Sequence, residues 1–229
     1  MYNTRYSVLH KNTVHDIERW TMNKYSVFNE LDPADLAGLS ECLGFEEQVF
    51  NKGEIIMRFS SDNKKSGILL DGLAYLKSIN DEGEENILDY YEGGNLFGSA
   101  LTPHTNVNLY YIAAKKKSSV YFFPHDLLVK KCKNNCEKHT KFINNTLVSI
   151  SCRSQIHIDI LSQRTIRGKL MIYFAYLAEL GSSKNIRLPI PLSDLSGYIC
   201  ADRSAMMREI KNMNDDGLIS SKGQNILLL

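Results

Sequence analysis

From Asp202 to Ile219 the chain reads DRSAMMREIKNMNDDGLI, and four of these side chains carry chemistry. On a helix, Ser204, Arg208 and Lys211 fall at i, i+4 and i+7 on one face, with Arg203 at the helix start. Met206, Ile210 and Met213 keep the same spacing on the opposite side and form an apolar stripe. Such a helix docks by its apolar back and presents donors outward. In the DNA major groove an arginine can span guanine O6 and N7 with two hydrogen bonds, and a serine hydroxyl can meet a base or a phosphate. Asp202 stands where an N-cap accepts from the free N–H groups that open the helix. Asp202, Arg203, Ser204, Arg208 and Lys211 are therefore candidate DNA-site residues. Taken alone, the same pattern also fits a surface helix with ordinary solvated charges.

The flanking elements are those needed to hold such a helix. LSDLSGYIC, residues 192–200, reads as a shorter preceding helix separated from it by a tight turn at Cys200-Ala201. Pro191 just ahead leaves the start of that helix open between Leu192, Ser193 and Asp194. Leu218–Leu229 reads as a hairpin whose Ser220–Asn225 turn carries Lys222, a further candidate for phosphate contact. Upstream, Thr165–Leu180 is expected to be a helix stopped by Gly181, followed by a strand over Ile186–Ile190. Glu137–Ser162 has neither Gly nor Pro and predicts one long helix. Ile143, Leu147, Ile150, Ser154, His157 and Leu161 keep alternating spacings of four and three along it. A second seam runs through Phe142, Thr146, Ser149, Arg153, Ile156 and Ile160. Packing against a partner helix requires that alternation. Two seams allow one to face a second subunit and the other the chain's own core; burial within the monomer is the plainer alternative.

Between Phe45 and Phe123 the texture is different. QVFNKGEIIM, GILLDGLAYLKSI, EENILDYY, NLYYIAA and SSVYFF are β-type runs separated by Asn-Lys-Gly, Asp-Gly, Asp-Glu-Gly and Glu-Gly-Gly turns. Many short strands with glycine punctuation predict a small antiparallel roll. Ahead of it, Asp32 and Pro33 open a helix bearing Leu36 and Leu39. Residues 1–24 are polar and mixed, with a short helix readable over Val14–Met22. After the roll, Asp126–Lys131 reads as another short helix.

The chain has 229 residues, 43% hydrophobic and 23% charged, with a net charge of +1. That is ordinary for a soluble globular protein. From Leu161 onward nine Lys/Arg face six Asp/Glu, so the C-terminal part is mildly basic and the remainder mildly acidic. No apolar run is long enough to predict a membrane span, and no signal-peptide pattern opens the chain. Five scattered cysteines fit a reducing, cytoplasmic setting better than a disulfide framework.

With these residues in view, DRSAMMREIKNMNDDGLI resembles the recognition-helix signature of Crp/Fnr-family transcription regulators. There a small or acidic residue, Arg, Ser and Ala precede a Ser/Met-Arg-Glu step, and GLI and a short hairpin follow. The resemblance is specific in the C-terminal third and organisational from about Val27 onward, where Gly53, Gly72, Gly83, Gly94 and Gly98 match the roll's glycines. It implies an α+β fold: an N-terminal antiparallel β-roll (a cyclic-nucleotide-binding-like jelly roll), a long dimerisation helix and a C-terminal winged helix-turn-helix. The expected domains are an arm at 1–24, an effector-sensing roll at 25–135, the dimerisation helix at 136–162 and the DNA-binding module at 163–229. The implied function is sequence-specific regulation of transcription by a homodimer that reads an inverted repeat in double-stranded DNA. RNA polymerase would be a further partner if the protein activates. The alternative is a ligand or redox sensor of the same fold with weak DNA binding. Pro191 and Leu192 depart from the family, which usually places a Ser or Thr cap and a polar, phosphate-touching residue there.

A cyclic nucleotide is not expected as cofactor. Cyclic-nucleotide sensors of the family carry Phe-Gly-Glu-Leu before an Arg-Ser/Thr pair, and the Arg holds the cyclic phosphate. Here the run is Phe97-Gly98-Ser99-Ala100-Leu101, and no arginine occurs between Arg58 and Arg153. Asn108-Leu109 stands where the pair would be. Phe97, Gly98, Ser99, Tyr91, Tyr110 and Tyr111 are instead candidates for a pocket taking an unidentified apolar or aromatic effector, with plain core filling the alternative. Cys132, Cys136 and His139 lie at i, i+4, i+7, a spacing open to zinc or redox chemistry. Asn134-Asn135 interrupts that helix, and no fourth ligand follows. With no nucleophile elbow, phosphate loop, dinucleotide fingerprint or closely spaced histidine pair, no enzymatic activity is expected.

Overall fold

A computed structural model of the chain describes residues 26–59, 63–98, 109–129 and 136–229. The described residues divide into two compact units. One holds residues up to 74 together with 91–98 and 113–149, the other 75–90, 109–112 and 150–229. The expected arm at 1–24 lies outside the described residues.

The first unit opens with helix α1 (Pro33–Leu43). Asp35 N donates to Asp32 Oδ1 at 2.7 Å, and the Asp32 amide reaches back to Asp35 Oδ2 at 3.4 Å. This reciprocal cap is what the Asp32-Pro33 pair predicts. Gly44, at φ +62°, ends the helix by donating to Ser40 O. The main sheet has the order β1-β8-β3-β6, comprising β1 (Glu46–Phe50), β8 (Ser118–Pro124), β3 (Lys65–Asp71) and β6 (Leu96–Gly98). Its pairs are antiparallel, with Gly67 opposite both Phe97 and Phe122. Ile68, Leu69, Phe97, Val120, Phe122 and Phe123 are all buried, and because neighbours along a strand point to opposite faces, both faces of the sheet are covered. Gly67 is required there, because a Cβ would stand 2.5 Å from the Phe97 ring.

The run GILLDGLAYLKSI makes two strands, β3 and β4 (Ala74–Ile79), because Gly72 turns at φ +104°. β2 (Ile55–Arg58) is entered through Gly53 and Glu54, which bond to the Ala114 backbone. The short helix α2 spans Asp126–Val129. The long helix α3 (Glu137–Ser162) has the predicted bounds. Its first half belongs to the first unit, where the fully buried Phe142 ring meets Phe28 and Phe123 at centroid distances of 6.2 and 6.3 Å. Asn145 Nδ2 donates to the carbonyls of Val27 and Asn29.

The second unit contains most of β7 (Leu109–Ala114), β4 and β5 (Glu85–Tyr91), adjacent in that order, and the latter half of α3. It continues through α4 (Ile166–Leu180), β9 (Asn185–Arg187), α5 (Leu192–Tyr198), α6 (Arg203–Asp215), β10 (Ile219–Lys222) and β11 (Asn225–Leu228). The last three strands form an antiparallel sheet ordered β10-β11-β9. β9 is shorter than Ile186–Ile190. Leu188 still donates to Gln224 O, but Pro189 has no N–H with which to continue the ladder. α4 stops at Leu180 as expected, although Ser182 rather than Gly181 takes the left-handed conformation, at φ +48°. Leu170, Tyr173, Phe174, Leu195, Ile199, Met206, Ile210, Met213 and Ile226 supply the core of this unit.

Candidate nucleic-acid interface

α6 divides as its sequence predicts. Met206 and Met213 are fully buried and Ile210 nearly so, while Arg203, Ser204, Arg208 and Lys211 are all exposed. Asp202 has extended backbone (φ −61°, ψ 132°), and its carboxylate accepts from Ala205 N at 2.7 Å. That cap satisfies one of the free amides at the helix start. The Asp202 carboxylate is thereby engaged by the backbone of its own helix.

Several contacts fix the helix in the unit. Arg167, on α4, donates through Nε to Glu209 Oε1 and through Nη1 to Asp216 Oδ2. One guanidinium thus pairs with a carboxylate on α6 and with that of its C-cap residue, and both acids hold its charge more firmly. At the other end, Asn214 Nδ2 donates to Ile210 O and Ser221 Oγ, and Asn214 Oδ1 accepts from Ser221 N at 2.7 Å. β10 is therefore stitched to α6, and Lys222 lies exposed on the hairpin. The turn itself is Gly223-Gln224, within the expected Ser220–Asn225.

α5 begins at Leu192. Pro191 occupies the N-cap and makes no side-chain bond; its carbonyl accepts from Asp194 N and Leu195 N, each at 2.9 Å. Asp194 lies in the first turn, where the helix dipole favours an acid, and its Oδ2 accepts from the Tyr75 hydroxyl at 2.6 Å. Burial, then that hydrogen bond, pushes the Tyr75 phenol well above its usual range. Cys200, at φ +50°, makes the turn into α6. Lys169 Nζ donates to the carbonyls of Ile199 and Cys200 at 2.8 and 3.2 Å. A cation there satisfies carbonyls that the end of α5 leaves open. The sequence offered no signal for this, since Lys169 is thirty positions away.

Beneath α5 lies a largely buried polar cluster. Arg153 Nη2 donates to both Asp89 oxygens at 2.8 and 2.9 Å and to Tyr90 O. Burial works against its charge, but Asp89 and its neighbours more than offset this and the guanidinium is held protonated. Tyr198 stacks on His157 at 4.3 Å, and His157 Nε2 donates to Tyr198 O at 2.9 Å.

This places the expected dimer seam. Leu147 and Leu161 are exposed at 62% and 39%, Ser154 is exposed, and Ile143, Ile150 and His157 are half-buried. His157 is engaged by Tyr198 within its own unit. Ile158, 60% exposed, and Val148, 50% exposed, were not in the predicted seam. Leu147, Ser151, Ser154, Ile158 and Leu161 form an outward line whose spacing still alternates four and three. In the second seam Phe142, Thr146, Ser149 and Ile160 are buried.

The candidate effector residues separate. Tyr91 and Phe97 are buried together, their centroids 5.3 Å apart, and Gly98 faces Ser66 across the β3–β6 pair. Tyr110 and Tyr111 belong to the other unit, where the Tyr111 hydroxyl donates to Glu85 Oε1. Ser99 lies outside the described residues. A half-open groove of about 590 Å³ occurs elsewhere in the first unit, between Glu41, Cys42, Lys64, Lys65, Phe123 and Leu127, and none of the candidate effector residues lines it. Cys132 also lies outside the described residues. His139 is buried and donates from Nε2 to Leu127 O at 3.1 Å. Among the described residues no group of three or more His, Cys, Asp or Glu is placed to hold a metal.

No protein-family model and no curated protein matches the chain. Solved structures do. A cyclic nucleotide-binding domain containing protein from Listeria monocytogenes EGD-e is similar with a TM-score of 0.67 at 14% identity, over 84% of this chain and 97% of that one. FixK2 from Bradyrhizobium japonicum gives 0.62 at 14% identity, over 80% of this chain and 92% of that one. A transcriptional regulator of the CRP family from Thermus thermophilus gives 0.55 at 16% identity, over 80% and 91%. The chain therefore shares the Crp/Fnr-type fold, with a jelly-roll-like sheet region, a long helix and a C-terminal helix-turn-helix with its hairpin.

Proposed function

We propose that this protein is a sequence-specific DNA-binding transcription regulator that works as a homodimer and reads an inverted repeat. The observation that carries the reading is the outward face of α6. Four donor side chains, Arg203, Ser204, Arg208 and Lys211, are exposed together on a helix whose apolar back is buried and whose N-terminus is capped. Arg203 and Arg208 are the base-reading residues, Ser204 meets a base or phosphate, and Lys211 and Lys222 meet phosphates. The fold shared with a CRP-family transcriptional regulator supports the same reading.

The exposed line Leu147, Ser151, Ser154, Ile158 and Leu161 supports a dimer formed along α3, because an outward 4-3 line bearing large apolar side chains suits cover by a partner helix. Two recognition helices related by a two-fold axis then enter successive major grooves about 34 Å apart. A signal at the roll domain, residues 25–135, would alter the relation of the two DNA-binding modules. RNA polymerase is a partner if the protein activates. Among the described residues no helix is long and apolar enough to cross a membrane.

Fluorescence anisotropy on duplexes from the protein's own upstream region, at several salt concentrations, tests this. Wild type is expected to bind a discrete inverted repeat, and Arg208→Ala to lose about 1–3 kcal/mol with relaxed preference at one position per half-site. The Arg203→Ala/Arg208→Ala variant should retain only weak, steeply salt-dependent binding. Equal, salt-dominated binding by wild type and the double variant on every duplex would overturn the proposal.

A further inference from the structure

We infer that Met207 reads a thymine methyl group in the major groove, and so sets sequence preference alongside Arg203 and Arg208. The inference rests on the DNA-binding role of α6 proposed above. The helix carries three methionines and one isoleucine. Three of these are buried, Met206 at 0%, Ile210 at 4% and Met213 at 0% exposure, whereas Met207 is 42% exposed. Its helical neighbours on that side are Arg203 and Ser204, one turn before it, and Lys211, one turn after. All of them, and the adjacent Arg208, face solvent. Single exposed apolar residues are common on protein surfaces and by themselves mean little. The position is what distinguishes this one, since Met207 stands in the middle of the donor face.

The chemistry selects the ligand group. Only thymine presents a methyl group on the major-groove edge, while the other bases present N–H donors or acceptors alone. The thioether has no donor and is only a weak acceptor. Pressed against adenine N6 or cytosine N4, it would bury an N–H without a good partner, and that arrangement costs free energy. Against a thymine methyl it removes two apolar surfaces from water at once. The unbranched, flexible side chain can adjust to that contact without moving the helix. Arg203 and Arg208 thus account for guanines in the site and Met207 for a thymine between or beside them.

The test begins with the duplex to which wild type binds as a discrete site. Each thymine is replaced in turn by deoxyuridine, which deletes only the methyl group, and binding of wild type and Met207→Ala is compared by anisotropy. Alanine suits an exposed helix position, and circular dichroism checks that the variant is folded. One thymine per half-site is expected to cost wild type about fourfold in affinity on loss of its methyl group and to cost Met207→Ala almost nothing. Losses equal in the two proteins at every thymine, or no loss in either, would overturn this inference and leave the regulator reading standing. Failure of wild type to select any site would overturn that reading, and this inference with it.

Discussion

Removing the Arg153 guanidinium is expected to destabilise the second unit by about 2–4 kcal/mol. Its partner Asp89 is left behind, with 27% of its side chain exposed against 18% for Arg153. Removing one member of a fully buried pair costs roughly 3–5 kcal/mol, because the other charge stays desolvated. Partial exposure lets water screen Asp89 and lowers that figure to about 2–3 kcal/mol. Arg153 also lies 5.6 Å from the centre of the Tyr90 ring, a contact of about 0.5–1 kcal/mol. Arg153→Met keeps most of the side-chain volume, so the loss reports on charge and hydrogen bonding. Urea unfolding followed by circular dichroism, on wild type, Arg153→Met, Asp89→Asn and the double variant, closes a thermodynamic cycle. The double variant should be more stable than the sum of the single losses by about 1.5 kcal/mol or more. Single losses below about 0.5 kcal/mol that simply add would refute the reasoning, since the pair would then contribute no more than a solvated surface contact.

Asp202→Ala should lower stability by about 1 kcal/mol, the usual contribution of an N-cap, and Asp202→Asn should restore most of it in the same unfolding assay. Glu85 gives a pH test. Hydrogen bonds from Lys77 and Tyr111 hold its carboxyl below the usual carboxylate value. Its contribution is therefore present above the unfolded-state value and is lost as pH falls through the lower folded-state value. The urea midpoints of wild type and Glu85→Gln are expected to converge as pH is lowered from about 6 toward about 3, taking about 4.3 as the unfolded reference. A constant gap across that range would show that the charge of Glu85 is not the source.

Helix α6 was legible in the sequence because it is an amphipathic surface element. Its apolar stripe, its N-cap and its donor face are all local patterns, and α6 shows each of them where expected. The long helix was legible for a similar reason: 26 residues without Gly or Pro admit few other structures. The sheet's glycine turns were also readable, Gly72 among them.

What the sequence could not decide depends on neighbours distant in the chain. Periodicity identified two seams on α3, but only packing determined that Phe142, Thr146 and Ser149 turn inward and that Ile158 turns out. Tyr198 engages His157 from 41 positions away, and no spacing rule connects them. The aromatic run of the roll fitted either a pocket or plain core filling, and Phe97 and Tyr91 lie buried against each other. The amino-acid types were right for either outcome, since an aromatic ring fills a core as readily as it lines a cavity. Arg167 and Lys169 carried no local signal, and Arg153 stood only as a member of the second seam of α3. The fold gives one of them Glu209 of α6 and Asp216 at its C-cap, another the open carbonyls that end α5, and the third a shielded aspartate. Local pattern determines which face of a helix is apolar; long-range packing determines which charges find partners, because a partner is set by distance in space and not by separation along the chain.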